Sequence, residues 1–175
     1  MKCPNCRSEM KSKSRDYEYA ESGLNNVVLK GITVHECKHC GEMLPEISNV
    51  KRIHKWIAEY LLSKGAPLTG EEFRFLRKAM GKSAKQTALS LAVNPVSISR
   101  WENNKEKIGP QSDRLFRVAF ILDTNSIAAL SHATILLKHA REILRRAVSG
   151  HKKLKSEKIV ITPQKVRQEH ADAHD

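Results

Sequence analysis

All four cysteines of the chain fall into two pairs, Cys3 and Cys6 in "CPNC" and Cys37 and Cys40 in "CKHC". Two residues between the members of a pair let both thiolates of a tight turn face one ion. Four such sulfurs suit tetrahedral Zn²⁺, which takes soft ligands and in structural sites has no open position. A catalytic zinc would want three protein ligands and an open place for water, and the pocket between the pairs lacks an obvious acid–base partner in sequence. The expected role is therefore structural, with one Zn²⁺ per chain. Lys2, Arg7 and Lys38 lie close enough in sequence to offset the negative charge of a tetrathiolate centre. His35 and His39 flank the second pair and read as bystanders while four sulfurs are available. Two disulfides, or a thiol redox pair, compete for the same spacing; a reducing cytosol favours metal.

These cysteines need a scaffold that returns the chain to its start. Between the pairs, "NNVVLKGITVHEC" alternates and is β-branched, with Gly31 as a bend or bulge. That pattern predicts a small β-rich zinc ribbon with a thin core, dependent on its metal for stability. After Pro45 the period changes. Ile47, Val50, Ile53, Ile57, Tyr60 and Leu61 recur at helical spacing, predicting an amphipathic helix over 46–63. "SKGAP" ends it and sets a boundary, giving a zinc-ribbon domain with a trailing helix over 1–66.

Residues 67–125 are dense in helix punctuation. "LTGEEF" is a capping box with Thr69 as N-cap, Glu72 reaching back, and Leu68 able to staple onto Phe73. The helix it starts runs to about Met80. "GKSAKQ" stops that helix at Gly81 and starts a second, with Ser83 as cap and Gln86 reaching back. "VNP" is a turn and a third start, with Asn94 as N-cap and Pro95 at the first helical position. Ile98 and Trp101 belong on the inner side of this third helix. A fourth helix over Pro110–Asp123 is expected to turn Leu115, Val118, Ala119 and Leu122 inward. Two short helices joined by a tight turn, the second strongly capped, form a helix-turn-helix.

Here the sequence resembles a known family. "LRKAMGKSAKQTALSLAVNPVSISRWENNK" is similar to the helix-turn-helix of Cro/cI- and Xre-type repressors, without gaps from Leu76 through Asn103. Together with "MKCPNC" and "VVLKGITVHEC", the likeness widens to the MqsA/YgiT-type zinc-finger antitoxins, over residues 1 to about 123. The implied fold is mainly α with a small β zinc ribbon, followed by an Xre/lambda-repressor-like helix-turn-helix. The resemblance implies the antitoxin of a type II toxin–antitoxin pair, whose N-terminal part binds a ribonuclease-type toxin and whose helix-turn-helix represses its own operon. A free-standing zinc-ribbon regulator without a toxin shares all these features.

By the family's pattern, Pro95, Val96, Ser97 and Arg100 are the candidates for base contact. Arg100 is the strongest, because its planar fork can donate twice to guanine O6 and N7. Lys82, Lys85, Asn94, Ser99, Asn103, Lys105 and Lys107 are the candidates for phosphate. The chain departs from many relatives in carrying Ala84 where they place a phosphate-anchoring glutamine, and Val96 where they carry a polar side chain. A twofold homodimer would read a palindromic operator in double-stranded DNA, its half-sites about 34 Å apart.

The remaining third, 126–175, is predicted to open with a long helix to Gly150, its stripe running through Ile127, Leu130, Leu137, Leu144 and Val148. This helix or the fourth is expected to form the dimer contact, packing within its own domain being the competing reading. "HKKLKSEK" is a basic run, and "IVITPQ" could pair as a short strand.

Composition agrees with a polyanion partner. The 175 residues hold 31 Lys and Arg against 19 Asp and Glu, a net charge of +12. Such a surface attracts nucleic acid, with an acidic membrane surface as the alternative. Neither a leader pattern nor an uncharged run long enough to cross a bilayer is present, so the expectation is a soluble cytoplasmic protein. Nothing resembles a nucleophile with its base, a phosphate-cradling loop or an open metal site, so an enzyme is not expected.

Overall fold

The computed structural model describes residues 1–123, 141 and 158–162. Contacts divide it into two compact units, one running from Met1 to Ile53 and taking in the strand at 159–161, the other beginning at His54. Residues 124–140, 142–157 and 163–175 lie outside the described residues, and with them nearly all of the helix expected from Ser126 to Gly150 and of the basic run after it.

The N-terminal unit is a four-stranded sheet built on one long strand, β2 (Val27–Cys37). β1 (Met10–Glu18) runs antiparallel along one edge, from Met10 opposite Cys37 to Glu18 opposite Val28. Two short strands share the other edge. β3 (Met43–Pro45) is antiparallel to Val34–Glu36, and β4 (Ile159–Ile161) is parallel to Val27–Leu29. Val27, Leu29, Val34 and Cys37 of β2 are buried; Val27 and Leu29 alternate as a half-covered strand requires, and the spacing breaks on either side of Val34. Gly31 sits at φ +64, where the β1–β2 register shifts between Arg15 and Tyr17. Its N–H donates to Asp16 Oδ1 at 3.1 Å. Only glycine adopts that backbone without strain, so the bulge expected there has a physical cause.

The helical unit holds α1 (Val50–Ser63), α2 (Gly70–Ala79), α3 (Ala84–Ser90), α4 (Pro95–Glu102) and α5 (Pro110–Leu122). The division between units falls inside α1. This helix starts four residues later than the apolar period suggests. Pro45 ends β3, the Glu46 N–H donates to Thr33 in the sheet, and Asn49 at φ +56 turns the chain before the helix begins. Ile47 is half-buried and Val50 exposed, so the buried stripe is Ile53, Ile57, Ala58, Leu61 and Leu62.

The start signals read from sequence form as chemistry dictates. Thr69 and Ser83 each accept from the third backbone N–H while Glu72 and Gln86 accept from the cap's own N–H. Asn94 accepts from Val96 N–H with Pro95 behind it. Leu68 and Phe73 are both buried.

The inward face of α5 differs from expectation. Leu115 and Leu122 are 48% and 70% exposed, while Asp113, Phe116, Arg117, Phe120 and Ile121 are buried. The helix is apolar on two sides, and the aromatic side wins the core: Phe116 lies 4.0 Å from Phe73, ring centre to ring centre. Choosing that side buries a charge. The Arg117 guanidinium is satisfied by Asp113 at 3.0 Å and by the carbonyls of Leu61, Leu62, Lys64 and Ala66 at 2.7–3.2 Å. It thereby closes the C-terminal end of α1, whose last carbonyls have no helical partner. Asp113 in turn accepts from Leu68 N–H at 2.9 Å, just before α2.

A second ionic link ties α2 to α4. Arg77 forks onto the Glu102 carboxylate at 2.5 and 3.1 Å, and Arg74 adds a bond to the Glu102 carbonyl at 3.0 Å. The two helices approach so closely at Gly70 that a Cβ there would lie 2.2 Å from the Trp101 carbonyl oxygen. Gly70→Ala is therefore expected to destabilise the helical unit by about 1–3 kcal/mol, the usual cost of overpacking, although alanine is the better helix former. Urea denaturation of the full chain would show it; an unchanged midpoint would refute the close crossing.

Candidate functional site

The sheet brings the four cysteines together at one end. Each pair is a knuckle of the same design. In the first, the Arg7 N–H donates to the Cys3 carbonyl and the Cys3 N–H to the Ser8 carbonyl, both at 2.9 Å. In the second, Gly41 and Cys37 donate in the same pattern to Cys37 and Glu42, again at 2.9 Å. The residue after each second cysteine is left-handed, Arg7 at φ 61 and Gly41 at φ 76. Met10 opposite Cys37 joins the knuckles through the β1–β2 ladder, and Cys3, Met10 and Cys37 are buried together.

All four sulfurs lie within 4.8 Å of one another. Cys3 and Cys40 are 3.5 Å apart, Cys6 and Cys37 3.4 Å, and none is in a disulfide. A tetrahedral ion with metal–sulfur bonds of about 2.3 Å has sulfur–sulfur edges of about 3.8 Å, so the donor set fits such an ion. His35 instead hydrogen-bonds Ser12 at 2.9 Å.

The thiols do not behave alike. Hydrogen bonds from the Ser8 side chain and backbone bring Cys6 down to about 5. For Cys40, the Glu42 backbone N–H favours the thiolate, but desolvation and the three other sulfurs outweigh it and push the thiol up to about 12. Metal binding draws the remaining protons off.

In the helical unit, α3 and α4 meet through a turn over 91–94 in which Ala92 takes φ 51. Ala88 is fully buried beside Leu91. On α4, Ile98, Trp101 and Glu102 face inward, which leaves Pro95, Val96, Ser99, Arg100 and Asn103 exposed along the other side, with Ser97 half-buried. Arg100 pairs with Glu106 across 3.7 Å, both side chains about half exposed or more. Lys85, Lys105 and Lys107 are exposed. Three candidates are otherwise engaged, the first being Asn94, which caps α4 by accepting from Val96 N–H at 2.9 Å. Lys82 pairs with Asp123 at 2.6 Å, and Asn103 accepts from Arg74 at 2.9 Å while donating to the Ser99 carbonyl at 2.8 Å. Asn104 holds the start of α2, accepting from Gly70 N–H at 3.0 Å and donating to Glu71 at 2.7 Å.

Sequence reasoning missed Arg74, Arg77, Glu102, Asp113 and Arg117. Their only signal was a charge at a helix position whose apolar neighbours point inward.

A sheet whose four thiols could hold one metal ion, joined in one chain to a separate unit of capped helices, defines the class: a two-unit protein with a candidate four-thiol metal site. Residues 1–123 match the family described as the antitoxin component of a bacterial toxin–antitoxin system, MqsA, and the chain belongs to that family. No curated protein and no solved structure matched the chain. Among the described residues, no helix is long and apolar enough to cross a membrane.

Proposed function

We propose that this chain is a non-enzymatic, DNA-binding antitoxin that holds one structural Zn²⁺ in its N-terminal unit, binds a ribonuclease-type toxin through that unit, and represses its own operon as a homodimer in the cytoplasm. Family membership across both units carries this reading. In it, α3 and α4 form a helix-turn-helix, and α4 enters the major groove with its N-terminal residues toward the bases. Arg100 donates to a guanine, Val96 offers methyl contact to thymine, and Pro95 and Ser97 flank them. The surface ion pair with Glu106 costs little to break, so Arg100 is available to a base. Lys85, Lys105 and Lys107 are exposed cations for phosphate, and the exposed Ser99 and Asn94 are further candidates. Lys82 would have to leave Asp123, and Asn103 acts through its hold on Arg74. The net charge of +12 supplies long-range attraction.

The test is footprinting of the upstream region with the full chain. A protected palindrome is expected, and its absence would reject the reading. Arg100→Ala should cut preference for the operator over random DNA roughly 5- to 150-fold, corresponding to ~1–3 kcal/mol for a bidentate contact. Lys105→Ala should weaken all sequences alike and lower the slope of log affinity against log salt by about 0.9. A small protein partner should co-purify with the chain when the neighbouring gene is expressed beside it.

A further inference from the structure

The family match ends at residue 123, yet the N-terminal sheet contains a strand from well beyond it. Along β4, Ile159, Val160 and Ile161 stand opposite Val27, Val28 and Leu29. The Ile159 N–H donates to the Asn26 carbonyl at 2.7 Å. Ile159 and Ile161 are 5% and 3% exposed, whereas Val160 between them is 40% exposed. This is the alternation of a strand with one face in a core. The β2 residues opposite, Val27 and Leu29, are 2% and 1% exposed.

Without β4, this stretch of β2 would present unpaired backbone groups beside buried apolar side chains, because β1 takes only the opposite edge and β3 reaches only Val34–Glu36. The gap accepts a short extended peptide, parallel to β2, with branched aliphatic side chains at its first and third positions. Its second position is unselective, since Val160 faces outward.

We propose that the Val27–Leu29 edge is a peptide-binding site and that Lys158–Thr162 is its intramolecular ligand. Main-chain pairing supplies affinity and the two isoleucine positions supply specificity, as in strand addition generally. Tethering makes docking intramolecular, so the docked tail keeps other strands off the edge. Undocking opens the edge and loosens the sheet that carries the cysteines. The N-terminal unit is thus completed by residues that follow the helical unit in the chain.

The experiment uses the full chain with Ile159→Ser and Ile161→Ser together, the free peptide Lys158–Thr162, and hydrogen exchange read by mass spectrometry. Backbone exchange over 26–30 should rise at least about tenfold in the variant. Millimolar peptide should return it to the wild-type rate, and the same peptide with serine at both isoleucine positions should not. Rescue reads equally well if the whole sheet loosens. Unchanged exchange in the variant would overturn the proposal, as would faster exchange that saturating peptide fails to reverse. Exchange in the wild type that accelerates on dilution would mean that a second copy supplies the strand, which overturns the intramolecular assignment.

Discussion

Arg117→Met is expected to destabilise the helical unit by about 3–5 kcal/mol, the range for removing one partner of a buried ion pair. Arg117 is 3% exposed and holds five oxygen-bearing groups at once: the Asp113 carboxylate and four carbonyls between Leu61 and Ala66. Methionine fills much of the volume but leaves Asp113, itself 4% exposed, as an uncompensated buried charge, and takes the guanidinium from the carbonyls of Leu61, Leu62, Lys64 and Ala66. Arg117→Lys should recover little, since an ammonium cannot fork across that arc of carbonyls. Adding Asp113→Leu to Arg117→Met should recover part of the loss, because the orphaned charge goes with it. Urea denaturation followed by helical circular dichroism measures all three. A loss below about 1 kcal/mol for Arg117→Met would show that the cluster is ornamental to stability.

Stripping the metal, or replacing Cys37 by serine, is expected to unfold the N-terminal sheet and leave the helices in place. Around the knuckles the buried cluster is only Cys3, Met10 and Cys37, and zinc binding in small domains is worth on the order of 10–16 kcal/mol, so the proposed ion would hold this end of the sheet together. Cys37 is 1% exposed and ends β2 opposite Met10, so its loss opens both the knuckle and the ladder that joins the knuckles. The helical unit has its own core around Phe73, Leu76, Ile98 and Phe116, all fully buried, and shares none of the four sulfurs. Metal analysis should find one zinc per chain before chelation and none after. Exchange protection over β2 that survives complete removal of zinc would exclude the structural role.

Much of the architecture was legible because its signals are local. Paired cysteines, two capping boxes and the Asn94–Pro95 start each act over three or four residues, and each forms in the structure as chemistry dictates. The apolar period placed β2 and the core side of α4 for the same reason. β1 was not legible: "MKSKSRDYE" is exposed almost throughout, so it carries no alternation, and it is a strand only because β2 offers it an edge.

What the sequence determined by itself was therefore β2, the capped starts of α2, α3 and α4, and a donor set of four thiols. Tertiary structure alone decided which side of α5 is inside, because both sides are apolar and only the fit of Phe116 against Phe73 separates them. It alone decided that Arg117 and Glu102 are buried, since a charge enters a core only where distant groups converge to satisfy it. And it placed Ile159–Ile161 beside Val27–Leu29, a pairing between residues so far apart in the chain that no local pattern encodes it.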